Sequence, residues 1–200
     1  GKTTLFNTIA GLYTPDAGRI TFKGEDITGM LAHQVCKVGI SRTFQVTKAF
    51  NSLTVEDALR VGAYNRHSEA EVLPVVEDVL VFCGLSDHRK QRCGDLSLAM
   101  LRRVEVARAV ATDPDLILLD EAGAGLTATE LANLMDTLIR LNRERGVTLC
   151  VVEHVMQMVM GICQHIVVLD AGEVIASGAP GEIAHNTRVI EAYLGKRAVQ

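Results

Sequence analysis

The chain has 200 residues, 48% of them apolar and only 4 of them proline, which is enough for one sizeable buried core. A formal net charge of −4 and an isoelectric point near 5.9 give no broad cationic surface, which disfavours a partner held mainly through nucleic-acid phosphates. Five cysteines (Cys36, Cys83, Cys93, Cys150 and Cys163) are an odd number without the close pairs of zinc sites; they read as reduced thiols of a cytosolic protein, with no disulfide and no metal cage.

Residues 3–10 read as the opening of a helix, with Leu5, Ile9 and Leu12 spaced to share one face. A turn and the alternating stretch 20–23 follow, then a second strand over 38–45, together predicting a small β-rich arm. From 54 to 111 the pattern is helical: Val55, Leu59 and Val61 in one segment, residues 72–82 in a second and 101–111 in a third, which predicts a separate helical lobe.

Residues 116–119 are a continuous apolar run closed by Asp120 and Glu121, the pattern of a strand buried on both faces of a parallel sheet. A crossover helix over 131–141, a strand over 148–152 and a helix over 155–163 continue the β-α-β alternation of a doubly wound sheet. In such sheets ligands bind beyond the carboxyl ends of the strands. The tail reads as strands at 166–169 and 173–176 and one closing helix over 181–194. The most apolar region, 147–169, contains Glu153, His154, Gln157, Gln164 and His165, so no membrane-spanning helix is expected there.

Gly1-Lys2-Thr3-Thr4 matches the back half of the pattern G-x-x-x-x-G-K-[ST], in which backbone amides and a helix N-terminus hold phosphates, the lysine reaches the β- and γ-oxygens and the hydroxyl binds Mg²⁺. Because Gly1 is not an initiator methionine and stands inside such a loop, the chain reads as a fragment incomplete at its N-terminus. Half a motif is equally a plain helix start. Asp120 and Glu121 add an acid for Mg²⁺ and a second carboxylate to polarise an attacking water, although the pair also fits a strand ending in a solvated turn. His154, after the apolar strand and Glu153, falls at the same sheet edge, where an imidazole can donate to a γ-phosphate. Gln45, ending the segment that starts at Val38, can deliver an amide to Mg²⁺ or to the water. Met156, Met160 and Cys163 recur at helical spacing and read as core packing.

This order of residues resembles an ABC ATPase over essentially the whole chain. Arg42-Thr43-Phe44-Gln45, the segment Arg102 to Arg108, Glu153-His154, Met160-Gly161-Ile162-Cys163 and Val189 to Gly195 are similar to the ATP-binding subunits of branched-chain amino-acid importers, with urea or amide importers close by. The resemblance implies an α/β P-loop NTPase of ABC type: one domain over 1–200, a mostly parallel sheet core, a small β arm and a helical subdomain at about 52–110. It implies ATP and Mg²⁺ as cofactors, with Gly1, Lys2 and Thr4 on phosphates, Thr3 on Mg²⁺, Gln45 as the Q-loop residue, Asp120 near Mg²⁺, Glu121 as general base and His154 as the γ-phosphate switch. The implied partners are a second ATP-binding subunit, identical or paralogous, transmembrane permease subunits and, indirectly, a periplasmic or extracellular solute-binding protein. The implied location is peripheral, on the cytoplasmic face of the cell membrane.

In this family the partner's signature loop, usually Leu-Ser-Gly-Gly-Gln, also touches each nucleotide; here it aligns with Leu96-Ser97-Leu98-Ala99-Met100. Ser97 is retained, Ala99 puts a side chain where the pattern has glycine, and Met100 lacks an amide. Without the alignment the segment reads as an apolar helix start. Ala122 replaces the usual proline after the Walker B glutamate, and Thr127 stands at the D-loop aspartate position. Two other readings follow: a regulatory subunit that binds ATP but barely hydrolyses it, and an ABC ATPase acting on DNA or ribosomes, which the lack of coiled-coil arms or basic extensions disfavours.

Overall fold

The computed structural model describes residues 1–43 and 50–194. Helix α1 (Lys2–Ile9) buries Phe6. A hairpin of β1 (Thr21–Phe22) and β2 (Glu25–Asp26) turns through Lys23 and Gly24, both at positive φ, the requirement of a tight two-residue turn. After α2 (Ala32–Lys37), strand β3 (Ile40–Arg42) enters the main sheet; residues 44–49, and Gln45 with them, lie outside the described residues.

Three helices then form a lobe: α3 (Val55–Ala63), α4 (Glu69–Phe82) and α5 (Leu98–Val110). Each opens on a hydroxyl residue that favours a helix start. The Thr54 and Ser97 hydroxyls accept from the amides of Asp57 (3.1 Å) and Met100 (3.3 Å), and Ser68 exchanges hydrogen bonds with Glu71. The Ser97 cap starts α5 three residues before the predicted Leu101. Gly62 lets α3 approach α5, because a Cβ there would come 2.5 Å from the Arg108 carbonyl oxygen.

Strand β4 (Leu116–Asp120) runs parallel between β3 and β5 (Thr148–Val152), with Arg42 opposite Leu118 and Asp120 opposite Val152. Its side chains alternate between two cores. Ile117 and Leu119 join the larger one with α3, α4, α5 and the buried face of α6 (Ala128–Arg145). Leu118 joins the smaller one with Phe6, Val35, Ile40 and Val152. Helices thus cover both faces of the parallel sheet, as the continuous apolar run at 116–119 requires.

After α7 (Met156–Ile162), β6 (Ile166–Asp170) and β7 (Glu173–Gly178) form an antiparallel hairpin of their own. The closing segment is two helices, α8 (Pro180–Ala184) and α9 (Thr187–Leu194), instead of the single helix expected. The break falls at Asn186, whose side-chain oxygen accepts from the amides of Arg188 (3.0 Å) and Val189 (3.3 Å) and so starts a new helix.

Candidate functional site

The N-terminus of α1 has the features of an anion seat. Gly1 stands at the cap position, no side chain caps the helix and its first turn has no acidic residue. The first intrahelical bond runs from Leu5 N–H to Gly1 O (2.9 Å), so the amides of Lys2, Thr3 and Thr4 precede the ladder, and residues 1–5 are exposed. Aligned peptide dipoles and a lysine at this end favour a phosphate.

At the carboxyl end of β4, Asp120 is buried and Glu121 follows at φ +50°, a left-handed backbone that a non-glycine residue adopts at a cost of about 1–3 kcal/mol. The strain is held by the sheet: Glu121 N–H donates to Val152 O on β5 (2.9 Å). The same register brings His154 beside Glu121, with Nδ1 3.8 Å from Oε1, and leaves both side chains open to solvent, His154 more so. A water or phosphate oxygen at this edge can therefore meet a carboxylate and an imidazole together.

Asp120 has a partner that the sequence does not reveal. Arg42, at the end of β3, donates from Nη2 to Asp120 Oδ2 (2.9 Å) and from Nη1 to Asn7 Oδ1 on α1, and its guanidinium lies 5.9 Å from the Phe6 ring centroid. The two charged side chains are 8% and 3% exposed, so this is a buried pair in which either charge alone would be costly. Arg42 thus ties the helix beneath the anion seat to the carboxylate edge. The separation of 78 positions explains why spacing does not disclose it.

Ser97 and Ala99 lie apart from this edge. Gln45 is outside the described residues. Ser97 and Ala99 belong to the helical lobe, where they line an open cleft with Met100, Arg103, Glu130, Asn133 and Leu134. The Ser97 hydroxyl is engaged in capping α5, and Leu98 is half exposed with its Cδ2 3.0 Å from where a Cβ of Gly125 would stand. Thr127, at the D-loop aspartate position, caps α6 in a reciprocal pair with Glu130.

Several known proteins are similar to this chain. The family model described as ABC transporter matches residues 1–124, and that of the branched-chain amino acid ATP-binding cassette transporter matches residues 173–199. The chain is 35% identical to the high-affinity branched-chain amino acid transport ATP-binding protein BraF of Pseudomonas aeruginosa, over 98% of this chain and 83% of that one. It superposes on a nucleotide-free ATP-binding cassette from an ABC transporter with a TM-score of 0.87 at 29% identity, covering 98% of this chain and 84% of the other. A dimeric cassette in a post-hydrolysis state, bound to ADP and Pi, matches with a TM-score of 0.77 at 25% identity, covering 90% and 81%. No helix among the described residues is long and apolar enough to cross a membrane. A phosphate-type helix start, two carboxylates and a histidine at one parallel sheet edge, and similarity along the whole chain together place this protein in the ABC transporter family, as an ABC-type ATPase close to the branched-chain amino-acid importers.

Proposed function

We propose that this chain is the motor subunit of an ABC importer, hydrolysing ATP to drive uptake of branched-chain amino acids or a related amide or urea solute through permease subunits. The observation that carries the reading is the sheet edge where Glu121 and His154 meet 3.8 Å apart beside the buried Asp120. Lys2 and Thr4 bind phosphate oxygens with the first-turn amides of α1, and Glu121 accepts the proton of the water that attacks the γ-phosphorus. His154 donates to the γ-phosphate and orients it against that water. Positioning and charge stabilisation supply the rate, with no covalent step on the protein.

The donor set also fits Mg²⁺. A bound Mg²⁺ would take the Thr3 hydroxyl and, through water because Arg42 already holds Oδ2, the Asp120 carboxylate, with Gln45 as the Q-loop amide. Its chemistry there would be to neutralise charge on the phosphate oxygens. A second ATP-binding subunit supplies the signature loop over each nucleotide, a solute-binding protein outside the membrane delivers the cargo, and the chain sits peripherally on the cytoplasmic face of the membrane.

Steady-state ATP hydrolysis beside the Glu121→Gln variant tests the reading. Expected is Mg²⁺-dependent turnover that falls at least about a hundredfold in the variant with ATP binding kept; equal turnover in both proteins removes Glu121 from the chemistry. A second reading, an ATP-binding regulatory subunit, is favoured by Leu98, Ala99 and Met100 in the signature loop and by the engaged Ser97 hydroxyl. It predicts that Ala99→Gly with Met100→Gln raises turnover sharply, and unchanged turnover counts against it.

A further inference from the structure

Glu153 is 8% exposed, and the bonds to its carboxylate among the described residues come from backbone amides and from no lysine or arginine. Three backbone amides hold it instead. Oε1 accepts from Gly123 N–H (2.6 Å), and Oε2 accepts from His154 N–H (3.1 Å) and Val155 N–H (3.2 Å). One carboxylate thus spans two loops: the turn that follows Glu121 and the turn that presents His154.

A buried carboxylate without a cation is costly, and amide bonds to the charged form offset that cost only where all of them are made. A pure packing role is served better by an apolar side chain. The site is also built around the oxygen. A Cβ at Gly123 would stand 3.2 Å from Glu153 Oε1, 2.9 Å from Leu131 Cδ1 and 3.0 Å from Met158 Sδ, so a glycine here lets the amide meet the carboxylate without displacing those side chains. Glu121, strained at φ +50°, is therefore anchored on both sides: its own N–H by Val152 O, and the peptide two residues on by Glu153.

We infer that Glu153 is a positioning residue for hydrolysis, a carboxylate strap that fixes the separation and mutual orientation of Glu121 and His154 without touching the nucleotide. The inference rests on the roles proposed above for those two residues. Displacement of a catalytic group by about 1 Å costs on the order of a hundredfold in rate, so loosening the strap acts on turnover more than on ATP binding.

The test compares the full chain with its Glu153→Ala, Glu153→Gln and His154→Ala variants and the Glu153→Ala, His154→Ala double variant, each assembled with its partner subunits. Expected for Glu153→Ala is a kcat lower by about ten- to a hundredfold with KM for ATP within about twofold, and little further loss when His154 is already alanine. Glu153→Gln keeps the volume and the Oε1 acceptor but turns an amide N–H₂ towards two donors, so an intermediate loss is expected. A second readout needs no turnover: the NMR shift that Glu121→Gln produces at the His154 ring should disappear in the Glu153→Ala background. Unchanged kcat, an equal penalty with and without His154, a loss that follows ATP affinity, or persistence of the Glu121-to-His154 shift would each overturn the inference. Full turnover in Glu121→Gln instead overturns the proposed role of Glu121 and leaves the NMR coupling to decide on the strap.

Discussion

The carboxyl edge of the sheet and the loop at 96–100, the two regions to which the proposed function assigns the nucleotide chemistry, are built very differently in this chain. At the sheet edge, Asp120 is locked by a buried arginine that also grips α1. In the loop, the Ser97 hydroxyl caps α5, Met100 packs only partly buried against the larger core, and Leu98 is half exposed. Groups that must keep close relations within one chain are cross-braced by buried polar bonds, whereas groups proposed to reach a nucleotide across a subunit interface sit on an open surface where sequence can drift. The departures from the family pattern at positions 98–100 fall on the loosely held half.

The comparison breaks most severely at Arg42. Arg42→Met leaves the Asp120 charge buried without its guanidinium, and urea denaturation should show a loss of about 3–5 kcal/mol; a loss below about 1 kcal/mol would mean that Asp120 has found water. In the loop, Ser97→Ala removes only a helix cap, and the same measurement should show about 1 kcal/mol. If the two losses are equal, the contrast between a braced edge and a capped loop is wrong.

Acid sharpens the comparison within the helical lobe. The Glu56 carboxyl is held below its usual range by its hydrogen bond from Lys90, then by that from Arg89. Its contribution to stability is complete above the ordinary carboxylate pKa of about 4.3 and is lost as pH falls through the lower folded value, so Glu56→Gln should flatten the acid limb of a stability-versus-pH curve there. The smallest effect concerns Cys83, whose thiol burial pushes up to about 12. At pH 8 it should resist alkylation in the folded protein and react only after unfolding, as peptide mapping would show.

Much of this was legible in the sequence, for physical reasons. The run at 116–119 reads as a doubly covered strand and forms β4, and β5 occupies the 148–152 range that its apolar residues mark. Two cap signals were present but unread: Asn186 before an apolar run, which splits α8 from α9, and Thr127 with Glu130 three residues on, which makes the missing D-loop aspartate a helix start. Arg42 with Asp120 was beyond reach because the pairing depends on strand order. Glu153 was invisible for another reason: its partners are backbone amides, which every residue has.

The left-handed backbone at Glu121 has a consequence for engineering. A glycine relaxes that conformation, so Glu121→Gly should fold at least as stably as the natural chain while losing the proposed base. Selection of variants for thermal stability alone would therefore drift towards catalytically silent proteins at this position, and any screen that improves this chain has to score turnover alongside heat resistance.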